Sequence, residues 1–425
     1  MVKKKIPKKE TVTRRPRRIK IRVVGIGGGG AAIVSEMAKS LKGASFLIAD
    51  TDTRTFKKVG VVPKRGQSPV RTFQFGENLT YGLGTGLDVE LGQKAAEKEK
   101  GRIEKIFKNQ DLSILVASLG GGVGSGASLV FAKAARNQKG IIPGQGLCLG
   151  IFTLPFSFEG EKKMRIAKTA LKKLREDLSG TIVLSNEKIF KLSDKKTPLK
   201  KALSSLNQVL IGYLKDLIEM ISLPGIINID FADLRTILKG RGRAIYFGRG
   251  VAQGPNRAEE ALKKVFQNPL GQESEWGVPL AGGAKRILFN ITGGKDLGLK
   301  EVEEISRAIA ELNPRAKIIF GISQKGQEPK RGQPPLKITL LAVGEEKLKI
   351  KNEKLKIESQ KKKNSEIAKT KTDKGKKIKV GKPKKKAKIR RSGLEIKKAE
   401  AEAEEKEREQ ETQWEIPSFL RRKLK

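Results

Sequence analysis

Five glycines, Gly120, Gly121, Gly122, Gly124 and Gly126, fall within seven residues, directly after the apolar run Ile114-Leu115-Val116-Ala117. No other stretch restricts the fold so strongly. A short, continuous apolar run is what a parallel sheet buries on both faces. The following residues, Ala127 to Arg136, read as a helix with Leu129, Val130 and Phe131 turned inward. Strand, glycine turn and helix present bare backbone N–H groups and a helix N-terminus to an anion, phosphate above all. Glycine permits positive φ and close approach, and Cβ atoms here are expected to stand where phosphate oxygens sit. The competing reading is a tight strand-to-helix turn with no ligand. A Walker loop is excluded, because no Lys-Ser/Thr pair follows the last glycine.

Two more glycine loops precede this one. Ile21–Ile26 reads as a strand running into Gly27, Gly28, Gly29 and Gly30 and a helix through Ala38; Phe46–Ala49 reads as a second strand ending at Asp50 and Asp52. Taken alone, this is a dinucleotide fingerprint, G-x-G-x-x-G after a strand with an acid about 20 positions on. An NAD-dependent oxidoreductase is therefore the rival reading, with Asp50 as a ribose contact. Gly82, Gly84 and Gly86 then precede a helix expected over Val89–Phe107, while Lys57–Thr72 reads as a loop. Three glycine loops feeding one parallel sheet fit a phosphate cradle better than an NAD site, which needs one.

Composition narrows the chemistry. With one cysteine, Cys148, and no histidine, disulfides, thiolate zinc sites and histidine triads are excluded. At 425 residues there is room for two domains. No run approaches the 18 apolar residues of a membrane span, and the basic N-terminus lacks the apolar segment of a secretory signal. The net charge of +44 is spread over the chain rather than gathered on one helix, so no dedicated nucleic-acid surface is expected.

Leu199, Leu203, Leu206, Leu210, Leu214, Leu217 and Ile221 repeat at three and four residues, the stripe of one long amphipathic helix, stopped by Pro224-Gly225. Asn228, Asp230 and Asp233 follow as N-x-D-x-x-D at the opening of another helix, where carboxylates often serve only as an N-cap. Residues 240–344 alternate strands and helices in the manner of a compact mixed α/β unit. From about Gly344 a lysine-rich stretch without aromatic residues cannot bury enough surface to fold. The apolar cluster Trp414, Ile416, Phe419 and Leu420 beyond it reads as a peptide bound by a partner.

These strings resemble the tubulin/FtsZ family, in particular the bacterial division proteins named FtsZ. GGGVGSG is similar to the family's GGGTGTG, with Val123 and Ser125 at the threonine positions; GLGTGLDVELG is close to GLGAGADPEVG, with Tyr81 replacing an arginine and Val89 a proline; PFSFEGEKK is close to PFNFEGKKR. NIDFADLRTIL nearly matches the family's synergy loop, and IPSFLR matches its tail peptide DIPAFLR. Ala31 and Ala32 stand where the family has the last glycine and the asparagine of GGGGGN.

The resemblance implies an α/β fold: a Rossmann-like parallel-sheet GTPase domain, a long central helix, a second mixed α/β domain and a disordered basic tail. The expected segments are a basic arm at 1–19, a GTPase domain at 20–195, a central helix at 196–222, a second domain at 223–344, a charged linker at 345–412 and a terminal peptide at 413–425. It further implies a self-assembling GTPase, binding GTP/GDP with Mg²⁺, that forms the cytoplasmic division ring at midcell. The nucleotide contacts would be the three glycine loops with Val123 and Ser125, Asp50, Glu159 toward the ribose, Lys163 in place of an arginine, Asn186, and Asn207 toward guanine. Leu203 falls where an aromatic ring usually stacks on the base. Asn207 can donate or accept, so the margin for GTP over ATP is expected to be smaller than an aspartate would give. Asn228, Asp230 and Asp233 would act on the nucleotide of the next subunit in a head-to-tail homopolymer, and no protein side chain is named as a metal ligand. Ile416, Pro417, Phe419, Leu420 and Arg421 would bind a membrane tether such as FtsA, with weak contact of the linker to anionic lipid. A structural filament with little hydrolysis is the alternative, since Ala32, Val123, Lys163 and Leu203 are all departures.

Overall fold

The computed structural model describes residues 19–58, 69–137, 146–192, 196–222, 225–267, 283–324 and 334–344. The linker and terminal peptide expected at 345–425, and all but the last residue of the basic arm, lie outside the described residues. Among the described residues ten strands form one sheet: β1 (Ile21–Ile26), β2 (Ser45–Asp50), β3 (Val70–Gln74), β4 (Leu112–Ser118), β5 (Leu147–Leu154), β6 (Gly180–Ser185), β7 (Ala244–Ala252), β8 (Ala284–Gly293), β9 (Lys317–Gln324) and β10 (Leu336–Gly344), in the order β3-β2-β1-β4-β5-β6-β7-β10-β8-β9. The first six are parallel to one another. β10 is antiparallel to both β7 and β8, and β9 is parallel to β8. The two groups meet at a single registered pair, Thr181 with Ala244.

Strand alternation divides the core between the two faces. Val23, Ile114, Leu149 and Ile182 share one cluster with Ile33 and Met37 of the helix Gly27–Ser40 and with Leu206, Leu210, Leu214, Leu217 and Ile221 of the helix Leu199–Ser222. Val24, Leu115 and Ala117 point the other way, toward Phe107, Phe131, Leu171 and Leu174. Burial on both faces is why the interior strands read as continuous apolar runs.

Three local expectations are corrected. Within the expected loop Lys57–Thr72, the described ends are structured: Thr53–Lys58 is helical and Val70–Gln74 is the edge strand β3. The helix expected over Val89–Phe107 is two helices, Val89–Lys98 and Lys100–Phe107, broken at Glu99, whose ψ of 13° leaves the helical range. Leu199 and Leu203 of the long stripe are 66% and 37% exposed, so its buried part begins at Leu206.

Candidate functional site

The order β3-β2-β1-β4-β5-β6 reverses between β1 and β4, and in such sheets the ligand crevice lies outside the carboxyl ends of those two strands. Both of the longest glycine runs start there. The helix Gly27–Ser40 begins directly on Gly27, and the chain after β4 turns at Gly120 (φ +107°) into one π-helical turn, Val123–Ala127, before the α-helix Ser128–Asn137. π turns inside helices concentrate at functional sites.

At most of these glycines a Cβ would meet neighbouring loop atoms, so glycine is required there for loop-on-loop packing whatever lies above. A Cβ on Gly29 would lie 2.2 Å from Ser118 Oγ, on Gly124 2.2 Å from the Ser118 carbonyl oxygen, on Gly126 2.1 Å from that of Val89, and on Gly122 2.3 Å from Thr85 Oγ1. Gly122 N–H donates to the Gly86 carbonyl at 3.0 Å, and Thr53 N–H donates to that of Gly82 at 3.1 Å. The three loops are thereby fused into one floor of backbone. Only Gly86 and Gly121 of this group face open space, and Gly28 nearly so, its closest neighbour being Thr55 Oγ1 at 3.9 Å. Val123 packs its Cβ against the space beside Gly27, 3.5 Å from a Cβ placed there. The buried Ser125 hydroxyl accepts from Gly120 N–H at 2.9 Å and braces the turn.

Asp50, 3% exposed, accepts from Thr51 N–H at 2.7 Å, Asp52 N–H at 3.3 Å and Thr55 Oγ1 at 2.7 Å. Burial pushes its carboxyl above the ordinary range against those hydrogen bonds. These bonds shape the loop that follows β2. Glu159 accepts from Phe156 N–H and from Lys163 Nζ, each at 2.9 Å; although partial burial opposes it, these partners hold its carboxyl below the usual range. Asn186 opens a short 3-10 turn directly after β6. Asn207 lies on the long helix one turn past Leu203 and donates from Nδ2 to Glu36 Oε2 at 2.8 Å.

Asn228, Asp230 and Asp233 stand apart from all of these. Asp230 Oδ1 accepts from Asp233 N–H at 2.8 Å and Asp233 Oδ2 from Asp230 N–H at 3.0 Å, a reciprocal cap on the helix Phe231–Ile237. The cap reading of these acids is therefore realised, yet one oxygen of each carboxylate stays clear of it. Asn228 Oδ1 accepts from Gly225 N–H. The loop is pinned to β9 by Ile226 N–H and Ile227 N–H on the Ile322 carbonyl, at 2.7 and 3.1 Å. Arg286 donates to the carbonyls of Ile237 and Lys239, at 3.0 and 2.7 Å, closing the other end of the helix. β9 is the far edge of the sheet, six strands beyond β4. At the usual strand spacing the acids lie on the order of 30 Å from the glycine floor.

Sequence reasoning passed over several residues here. Thr85 Oγ1, Thr51 Oγ1 and Ser128 Oγ are buried with no hydrogen-bond partner among the described residues, three spare hydroxyls on or behind the floor. Among the described residues no cluster of carboxylates could hold a metal by itself. That donor set fits Mg²⁺ only as an ion carried chiefly by phosphate oxygens and water.

Comparison with known proteins gives a consistent result. Residues 20–194 match the GTPase domain of the Tubulin/FtsZ family, and residues 242–330 match the C-terminal domain of the FtsZ family. The chain is 35% identical over 309 residues to the cell division protein FtsZ of Coxiella burnetii, covering 72% of this chain and 75% of that one. It is 36% identical over 294 residues to FtsZ of Pseudomonas aeruginosa, covering 69% of each. An empty FtsZ dimer from M. jannaschii matches with a TM-score of 0.64 at 28% identity, over 78% of this chain and 89% of that one. A GTPgS-bound CetZ2 protofilament from Haloferax volcanii matches with a TM-score of 0.61 over 77% of this chain and 95% of that one; at 19% identity this is a likeness of fold alone.

Proposed function

The chain belongs to the FtsZ family of tubulin-like GTPases, and from that premise we propose that it assembles head to tail into filaments of a cytoplasmic division ring at midcell, hydrolysing GTP where two copies meet. It is a self-associating GTPase of cell division. The observation that supports a shared site is the separation just described: one chain cannot bring Asp230 and Asp233 to its own glycine floor. A second copy stacked on the first would do so. The fused loops of one copy hold the phosphates through backbone N–H groups; Mg²⁺, when bound, would add positive charge against theirs. The free carboxylate oxygens of Asp230 and Asp233 from the next copy polarise the attacking water, and Asn228 shapes the loop that carries them. Glu159 and Lys163 flank the ribose side, and Asn186 and Asn207 the base.

Right-angle light scattering and phosphate release, followed together in GTP and Mg²⁺, test this directly. Both signals should rise above a shared threshold of protein concentration. Phosphate release that is linear in protein, with no scattering change, would rule out hydrolysis at an interface.

The terminal peptide serves as the tether. Ile416, Phe419 and Leu420 fall at helical spacing with Pro417 tolerated in a first turn, and Arg421 follows for an acidic rim. One short peptide binds weakly, but a filament displays many copies and gains avidity. The linker lysines add attraction to anionic lipid. Phe419→Ala with Leu420→Ala should leave GTP-driven scattering intact and abolish recruitment to vesicles carrying a membrane-anchoring partner such as FtsA. Unchanged recruitment would move the tether to the linker.

A further inference from the structure

We infer that Glu36 locks the Asn207 amide in one orientation and so makes it a dedicated acceptor for the base, an inference that rests on the GTP reading above. Glu36 lies on the helix Gly27–Ser40. It gathers three side chains from one face of the long helix: Ser204 Oγ and Gln208 Nε2 donate to Oε1, the latter at 2.7 Å, and Asn207 Nδ2 donates to Oε2 at 2.8 Å. Burial opposes ionisation of Glu36, but hydrogen bonds from Ser204, Asn207 and Gln208, with Lys39 nearby, hold its carboxyl below the ordinary range.

An ionised carboxylate only accepts, so the amide atom facing it must be the nitrogen. Asn207 Oδ1 is therefore the atom left over, and it has no hydrogen-bond partner among the described residues. An amide oxygen has two lone pairs and can take both donors on the guanine edge, N1–H and the N2 amino group. Adenine presents an unprotonated N1 there, so two acceptors would face each other, and an unmade buried hydrogen bond costs more than a made one returns. An unrestrained asparagine escapes that clash by rotating its amide half a turn. Glu36 removes the escape. Such a lock would leave Asn207, like an aspartate, an acceptor only, and so would remove the reason for expecting a smaller margin for GTP. The same contact explains why the residue is asparagine: an aspartate would place a second carboxylate within hydrogen-bonding distance of Glu36, and like charges that close disfavour each other.

The test is equilibrium binding of GTP and of ATP to the full-length chain in four forms: unmodified, Glu36→Gln, Asn207→Asp, and both together. Glu36→Gln keeps the shape but lets the two amides pair in either orientation. The preference for GTP should fall about tenfold, chiefly because ATP binds better, which a merely structural role would not produce. Asn207→Asp alone should bind GTP about tenfold more weakly, and adding Glu36→Gln should restore it, a rescue that also guards against simple misfolding. If Glu36→Gln keeps the unmodified preference, or Asn207→Asp binds GTP as tightly as the unmodified chain, Glu36 has no such role. An unmodified chain that binds GTP and ATP alike overturns the guanine reading itself, a result distinct from those two.

Discussion

Gly121 and Gly124 lie three residues apart in one loop and answer to different demands. A methyl group on Gly124 meets the Ser118 carbonyl at 2.2 Å, backbone that cannot step aside, whereas one on Gly121 meets nothing within 4 Å. Gly124→Ala should lower the melting temperature and abolish nucleotide binding together, since overpacking of this kind costs about 1–3 kcal/mol. Gly121→Ala should leave the melting temperature unchanged and weaken nucleotide binding alone. Calorimetry with an equilibrium binding assay on both variants separates the two outcomes. Arg257 makes a similar point about charge. Its side chain, 4% exposed, donates to Asp296 Oδ2 at 2.7 Å, to Glu301 Oε1 at 2.7 Å and to the Pro334 carbonyl at 2.8 Å. Its guanidinium holds the Glu301 carboxyl below the ordinary range, against partial burial. A depressed carboxylate stabilises the fold above its unfolded pKa and loses that contribution as pH falls through the folded value. Arg257→Met should therefore cost about 3 kcal/mol at neutral pH, shrinking below about pH 4. Urea midpoints across that range check the sign.

The helix Phe231–Ile237 shows how one element can carry two duties. Asp233 closes the cap with one oxygen and leaves the other free. Asp233→Asn keeps an acceptor for the cap while removing the charge, so it should fold like the unmodified chain and hydrolyse GTP on the order of a hundredfold more slowly. Asp233→Ala should lose the same activity and, in addition, about 1 kcal/mol of stability. Equal stabilities for the two would show that the Asp233 half of the cap contributes nothing. The elements themselves were legible to different degrees, for physical reasons. The glycine loops and the long helix announce themselves, because close backbone approach and a three-and-four stripe each leave few alternatives. β3 does not, because a half-exposed edge strand such as Val70–Gln74 needs no apolar run. The break at Glu99 is hidden because both halves have helical composition. Glu36 is hidden for a deeper reason: its partner Asn207 lies 171 positions away, and no local pattern records such a pairing.

For the whole molecule, the separation of floor and acids makes complementation the decisive measurement. A chain with Asp233→Asn retains its floor, and one with Gly124→Ala retains its acids. Each alone should be nearly silent, and mixing them should recover phosphate release, because interfaces then form with an intact half from each. No recovery on mixing, with both chains shown to co-assemble, would place the whole site in one copy.

The seam between β6 and β7 has a mechanical meaning. Thr181 N–H on the Arg243 carbonyl at 2.8 Å and Gly242 N–H on that of Leu178 at 3.1 Å are the backbone bonds there, beside a strand pairing of one residue. In the proposed filament, tension enters a chain at one end and leaves at the other, so it must cross this weak joint. The long helix bridges it. Tyr213 stacks on Phe247 with ring centroids 4.7 Å apart, and Asp216 holds Arg249 and Lys337 at 2.7 and 2.6 Å. In a pulled filament these packed rings and ion pairs would carry load across the seam beside the single strand pairing. The helix would then act as a tie rod beside a sheet joined there by one residue pair.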